Sequence, residues 1–222
     1  MRPMQNAGGH VGLTARNYPI AGGTAIAAGS VVKLSGAVVT AAAAAETGPI
    51  LGVAAENHPG VADVLNARAD GVEILVYDSP ELIFECPVSV ITAASGSATT
   101  LVPASGQVAA AAADDSYNGG VLVLREKAPD SGNTDPVDKR IPVTDYAKSG
   151  TVLTKESGGV PSAGDRYALY PAIGSAVCGL DEARQKLVVS ASGAAAIRVI
   201  GHDYDRGMIR CMAVRHALAS GT

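Results

Sequence analysis

"AIAAGSVVKLSGAVV", residues 25–39, carries a single charged side chain, Lys33, and places glycine at 29 and 36. It is too apolar for a loop, and glycine makes it a poor helix. Two short strands joined by turns fit it better. Ala28-Gly29-Ser30 reads as a tight turn in which Gly29 takes a positive φ, and Val31-Val32-Lys33-Leu34 as the strand it launches. The same form returns in "SAGDRYALYP" (162–171), where Gly164 aligns with Gly29. Further on, "LVVSA" (187–191) echoes "VVTA" (38–41), and "AIRVIG" (196–201) echoes "PILGVA" (49–54). A competing register sets "ILVYDSPELIFEC" (74–86) against "VIGHDYDRGMIRC" (199–211), matching Cys86 to Cys211. Either register predicts an internal repeat.

Working outward, short β-branched segments bounded by Gly, Pro, Asn or Asp recur along the chain: "VEILVY", "LIFECPVSVITA", "GVLVLRE", "KLVVSA", "MIRCMAV". This is the pattern of an all-β protein built of short-stranded sandwich or barrel-like modules. Little helix is expected. The alanine runs 41–45 and 109–113 are too short to stand as helices, and "HPGVADVLNARADG" (58–71) is the one candidate, with Val61, Val64 and Leu65 at helical spacing. "KAPDSGNTDPVDKRIP" (127–142) is the most polar stretch and holds three prolines, so it reads as a linker or a long exposed loop. The expected division is a flexible arm over 1–19, a first β unit over 20–126, the linker over 127–142, and a second, related unit over 143–222.

Composition narrows the function. Of 222 residues 47% are hydrophobic but only 4% aromatic, with one Phe and no Trp. A core of such small side chains is thin, and subunit association would add buried area, so a homo-oligomer is expected. A net charge of −4 without a basic block argues against nucleic acid and against an anionic membrane. No apolar run reaches the ~18 residues of a membrane helix, and "MRPMQNAGGHVG" lacks the apolar core of a secretory signal. The three cysteines, Cys86, Cys178 and Cys211, are far apart and read as buried, reduced thiols, as in a chain made in the cytoplasm.

The chemistry-bearing motifs are few. Ser30-Val-Val-Lys33, Ser116-Tyr-Asn118 and Lys148-Ser-Gly150 fall in the order of the three motifs of penicillin-binding serine enzymes. There the serine and lysine stand one helical turn apart, whereas on a strand positions 30 and 33 face opposite ways. "GHDYDRG" (201–207) offers His202, Asp203 and Asp205 to a hard cation. It reads equally as a polar hairpin turn in which an Asp caps backbone amides and Arg206 balances the charge. His10, His58 and His216 are isolated. No cofactor motif and no catalytic residue is indicated.

Taken in order, "PIAGGTAIAAGSVVKLSGAVVTAAAAAETGPILGVAAE", "YDSPELIFECPVS", "NGGVLVLREKAPDSGNTDPVDKRIPVTDY" and "KLVVSASGAAAIRVIGHDYDRGMIRCMAVRHAL" resemble the structural proteins of tailed phages and prophages. The similarity is to the decoration, or cement, class that coats a capsid. The resemblance implies a non-enzymatic virion protein on the capsid surface, in symmetric contact with the major capsid protein, with no cofactor. In that setting the 1–19 arm would order on a neighbouring subunit through Arg2, Met4, Val11, Leu13, Arg16 and Tyr18. Another phage structural or adhesion module, such as a tail or fibre β domain that binds glycans, is the alternative, and a penicillin-binding-type serine enzyme the remote one.

Overall fold

The computed structural model describes residues 2–6, 13–20, 23–42, 48–60, 73–108, 115–181, 186–189, 197–214 and 216–218; the backbone alone is considered for 2–6, 176–181 and 186–189. The described residues are all strand, turn and loop. The expected helix over 58–71 and the alanine runs fall mostly outside the described residues. At its start, His58–Pro59 forms a short strand instead.

The turn at 27–30 is as the sequence implies. Gly29 has φ 82°, and the Ser30 N–H donates to Ala27 O at 3.0 Å. It opens β4 (Val31–Ser35), which folds back as β5 (Val38–Ala41). With β2 (Ala15–Pro19), β6 (Gly52–Ala54) and β8 (Glu73–Tyr77) these strands form a sheet in the order β2-β8-β6-β4-β5. A parallel bridge from Ile20 to Val39 brings its two edges together, and a small pair, β3 (Ala25–Ile26) and β7 (His58–Pro59), lies beside it. Successive residues of a strand face opposite sides, yet Val31 and Val32 are both buried. Val32 joins Ile20, Val39, Leu51, Ile74 and Val76 in the sheet's own core, while Val31 and Val53 join the main core of the molecule. Both faces are covered at the start of β4, so the stretch is apolar on both there, whereas 33–38 is half-buried or exposed.

The main core centres on a closed six-stranded barrel. Its strands are β10 (Ser89–Gly96), β11 (Thr100–Pro103), β14 (Val152–Lys155), β13 (Arg140–Ala147), β12 (Val121–Glu126) and β15 (Arg166–Tyr170), in that order around the wall. Register shifts at Ala93/Ser95, Leu124/Glu126 and Val143/Asp145 supply the local bends that closure needs. A third sheet runs β1 (Arg2–Asn6), β9 (Leu82–Pro87), β19 (Met208–Ala213), β18 (Ile197–Asp203), β16 (Ala176–Asp181), β17 (Lys186–Val189).

These sheets redraw the expected division. The barrel spans 89–170, so 127–142 is no linker between units. It is the β12–β13 connection and part of the next strand, with Asn133 and Asp135 buried. Of the two readings it is the long loop, mostly exposed over 127–139, with these two side chains finding partners inside the protein. The expected free arm is also corrected where it is described: β1 pairs with β9, with Arg2 opposite Glu85, and β2 pairs with β8 from Ala15–Tyr77 to Pro19–Glu73. A strand added to an open edge is held by its backbone, which a count of large apolar side chains does not detect.

The repeat is real in form but sits elsewhere. Turns with the same hydrogen bonds open β4, β15 and β16: Ala27–Ser30, Ser162–Asp165 and Ala172–Ser175, with Gly29, Gly164 and Gly174 at φ 82°, 93° and 87°. In each the glycine N–H donates across to a neighbouring strand (Ala54 O 2.8, Ala93 O 2.9, Val199 O 2.8 Å). The N–H of that neighbour returns to the residue after the glycine (Ser30 O 2.9, Asp165 O 2.8, Ser175 O 3.2 Å). By topology β5-β4-β6-β8-β2 of the first sheet matches β17-β16-β18-β19-β9 of the third. The echoes of 38–41 in 187–191 and of 49–54 in 196–201 therefore fall on equivalent strands, but the counterpart of Gly29 in this pair of sheets is Gly174. The register matching Cys86 to Cys211 does not hold, since β9 and β19 are neighbours in one sheet. Valine at 29, 164 or 174 forces a β-branched residue to positive φ, and each variant is expected to lose more than about 1 kcal/mol in denaturant melts.

Candidate functional site

The functional side chains gather in two polar clusters. The first is built on the β18–β19 hairpin, the "GHDYDRG" stretch. Asp203 Oδ1 accepts the Arg206 N–H at 3.1 Å, capping the turn, and Gly207 takes φ 64°. Arg206 reaches back to β9 and holds the fully buried Glu85 with two hydrogen bonds, Nη1–Oε1 3.1 Å and Nη2–Oε2 2.9 Å. Arg210, paired with Glu85 across the strands, adds Nε at 3.7 Å. Asp203 Oδ2 lies 3.5 Å from Arg206 Nη1 and 3.8 Å from Arg210 Nη2. Both carboxylates are thus occupied by guanidinium groups, and among the described residues no three His, Cys, Asp or Glu side chains are arranged to hold a metal ion.

The other side of this hairpin meets the barrel. His202 Nε2 donates to Pro171 O at 2.7 Å, and Nδ1 lies 2.9 Å from the Tyr204 hydroxyl. A carbonyl only accepts, so the proton is on Nε2 and Nδ1 accepts from Tyr204. The rings of His202, Tyr204 and Tyr170 lie within 5.4 Å of one another by centroid. Arg140 of β13 stands 4.1 Å over the Tyr204 ring. Arg125 of β12 donates to the Tyr170 hydroxyl at 2.9 Å, to Tyr204 O and to Asp138 at 2.7 Å. Burial pushes the His202 pKa below its ordinary 6.5, against the opposing pull of the Pro171 bond.

The second cluster locks the β12–β13 connection to the barrel's end. The fully buried Asp165, just after the Gly164 turn, accepts from Ala128 N–H (2.9 Å), Ser162 N–H (3.1 Å) and Asn133 Nδ2 (3.0 Å). Burial works to raise its pKa, but these bonds outweigh it and hold the carboxyl below the usual range. Asn133 Nδ2 also donates to Tyr167 Oη at 2.7 Å, and Asn133 Oδ1 accepts the Asp135 N–H at 3.0 Å. Asp135 pairs with Lys139 at 2.6 Å. Lys155, 2% exposed, donates to Ala98 O at 2.7 Å and Gly159 O at 3.2 Å. Burial lowers its pKa, and the nearby Asp135 opposes that. These ammonium and carboxylate groups are anchors for loops.

The expected site residues are placed as follows. Ser30 lies beside β4 in the first sheet, whereas Ser116-Tyr117-Asn118 and Lys148 occupy turns at one end of the barrel, joined where Asp115 N–H meets Tyr146 O. The three motifs are therefore split between two sheets. Tyr18 donates to the buried Asp78, its pKa raised to about 12 by burial first and by that carboxylate second. Arg16 Nε stands 3.6 Å from the same carboxylate. Leu13 packs on the main core. These three side chains have partners within the chain, which corrects the expectation of a free contact arm. The side chains of Arg2 and Met4, and all of Val11, lie outside what is described. Cys86 and Cys211 are buried free thiols on adjacent strands; a hydrogen bond with Cys86, and then burial, push the Cys211 pKa well up. Sequence reasoning missed Glu85, Asp165 and Lys155. Their partners stand far off in the chain, or are backbone groups that leave no residue pattern.

No protein-family model, curated protein or solved structure matches the chain. Among the described residues no helix is long and apolar enough to cross a membrane.

Proposed function

We propose that this chain is a non-enzymatic structural protein of a tailed-phage particle. It coats and reinforces the capsid shell, seated as a homo-oligomer on the major capsid protein at the virion surface. The observation that carries this reading is the use the fold makes of its reactive side chains. Glu85 and His202 are spent in bonds that hold the β18–β19 hairpin in place, and Asp165 and Lys155 in bonds that hold loops to the barrel, a use that suits a module built to resist load. The sequence resemblance supplies the particle. The side chains offered for the contact are the exposed Val137, Val160, Ile173, Val214 and Leu218.

The glycan-binding alternative needs aromatic rings laid open to sugar. Tyr117, Tyr146, Tyr167 and Tyr170 are buried, and Tyr18 and Tyr204 are engaged internally. The test is addition of the purified chain to shells assembled from the major capsid protein alone. Saturable binding, with a higher temperature of shell disruption, is expected; shells that neither bind the chain nor gain resistance would refute the reading. A fluorescent penicillin that labels the chain covalently, and fails on Ser30→Ala, would move it to the serine enzymes.

A further inference from the structure

We infer that the joint between the β18–β19 hairpin and the barrel is an acid-released latch, closed while His202 is neutral and opened when its ring takes a second proton. The latch does not depend on the capsid reading. The third sheet meets the barrel at this hairpin through His202 and Tyr204, and the imidazole sits where the elements converge. Its Nε2–H is fixed on Pro171 O, in the connection from β15 to β16. The one nitrogen left to protonate, Nδ1, is the acceptor of the Tyr204 hydroxyl. Protonation at Nδ1 puts a hydrogen on each side of that contact, so it survives only reversed, with Nδ1–H donating to the Tyr204 oxygen and the phenolic hydrogen turned away to another acceptor.

The charges facing the ring set the direction. From the barrel come Arg125 of β12, on Tyr204 O and the Tyr170 hydroxyl, and Arg140 of β13, over the Tyr204 ring. Asp138, from the β12–β13 connection, pairs with Arg125. From the hairpin itself come Asp203, Arg206 and Arg210, with Glu85 of β9 behind them and the exposed Asp205 at the tip. The β15–β16 connection offers only a carbonyl. Asp138, Asp203 and Glu85 are each already paired with arginine, and Arg140 stands over the ring that His202 touches. An imidazolium therefore arrives beside cations whose nearest acids are taken. Burial, which depresses the His202 pKa, works in the same direction. A histidine whose folded value lies below 6.5 contributes stability that is complete above 6.5. That contribution is lost as the pH falls from there through the folded value.

Amide hydrogen exchange on the full chain tests the latch. The Arg206 N–H is bonded to Asp203, the Gly207 N–H to Tyr204 O and the Val88 N–H to Gly207 O, so these amides report the joint; those of Leu124 and Val143 report the barrel. Between about pH 7.5 and about pH 5, joint protection in the wild type is expected to fall several-fold relative to the barrel. In His202→Gln the amide can donate to Pro171 O and accept from Tyr204 without titrating, and joint protection is expected to stay flat. The variant separates this joint from His216, which titrates in both proteins. Should His202→Gln fail to fold, the wild-type imidazole resonances decide: their midpoint must lie below 6.5 and coincide with the loss of joint protection. Protection independent of pH, an equal fall in the glutamine variant, a loss shared by the barrel, or a midpoint at or above 6.5 would each overturn the latch.

Discussion

Asp165→Ala is expected to cost at least about 3 kcal/mol, or to prevent folding altogether. One substitution leaves the Ala128 and Ser162 amides and the Asn133 carboxamide without their acceptor inside the protein. An orphaned buried donor costs ~1–3 kcal/mol, and dismantling a buried charged network falls at the upper end of single-residue effects. Urea denaturation with circular dichroism checks it. Asp165→Asn should fall between the two, since the shape survives but one oxygen becomes a donor facing donors. The pH dependence has a definite sign. The folded carboxyl titrates below its ordinary 3.8, so its contribution is complete above that value and drains away as the pH falls further. Asp165→Ala should flatten that part of the acid-denaturation curve; a variant as stable as the wild type would show that the β12–β13 connection is held by something else.

Gly52→Ala is expected to be comparably severe for a steric reason. A Cβ at position 52 would stand 1.9 Å from Tyr77 O and 2.8 Å from the Tyr77 carbonyl carbon. Both are backbone atoms of the neighbouring strand β8, so neither can swing aside. β6 and β8 must part, or the first sheet must lose its register, at an expected cost of about 3 kcal/mol or more. Gly106→Ala is the control. It also adds one methyl group, and although its φ of 74° brings some strain, nothing lies within 4 Å, so a loss of only about 1 kcal/mol is expected. Thermal melts of the two variants side by side should show a clear gap. Equal melting temperatures would mean that the close approach of β6 to β8 relaxes freely.

The all-β class was legible because short β-branched runs separated by Gly, Pro and Asp are a local property, and so was the turn at Gly29 and Gly164. The turn at Gly174 carries the same hydrogen bonds yet was hidden. Its second residue is Ile173 where the others have alanine, and the strand after it, "AVCGLD", does not alternate. Closure of the barrel was not legible, since β10 meets β15 across some seventy residues of chain, and no local pattern records which strand pairs with which. The 127–142 stretch reads as a linker or a long exposed loop, and only the strand pairing decides for the loop. Asn133 and Asp135 have the composition of a loop, and only their neighbours at 155, 165 and 167 show that they are buried. In the candidate site, "GHDYDRG" was picked out and a cap by Asp203 or Asp205 foreseen, of which the structure uses Asp203. Its main partner Glu85 was not, because in sequence it is one acid in "LIFEC", 121 residues away.

The third sheet draws its six strands from Arg2 at one extreme to Ala213 at the other, with the first sheet and the whole barrel lying between its members in the chain. During synthesis, at ~5–20 residues per second, β1 and β9 emerge many seconds before β16 to β19, the strands that complete their sheet. For that interval β9 offers a bare edge and an uncovered apolar face carrying Leu82, Phe84 and Cys86. The first sheet and the barrel have their strands sooner and can close early, leaving completion of the third as the slow, long-range step. A free chain truncated after residue 170 should therefore hold a folded barrel and be prone to aggregate through β9, and the full chain should lose that tendency as it collapses into its final state.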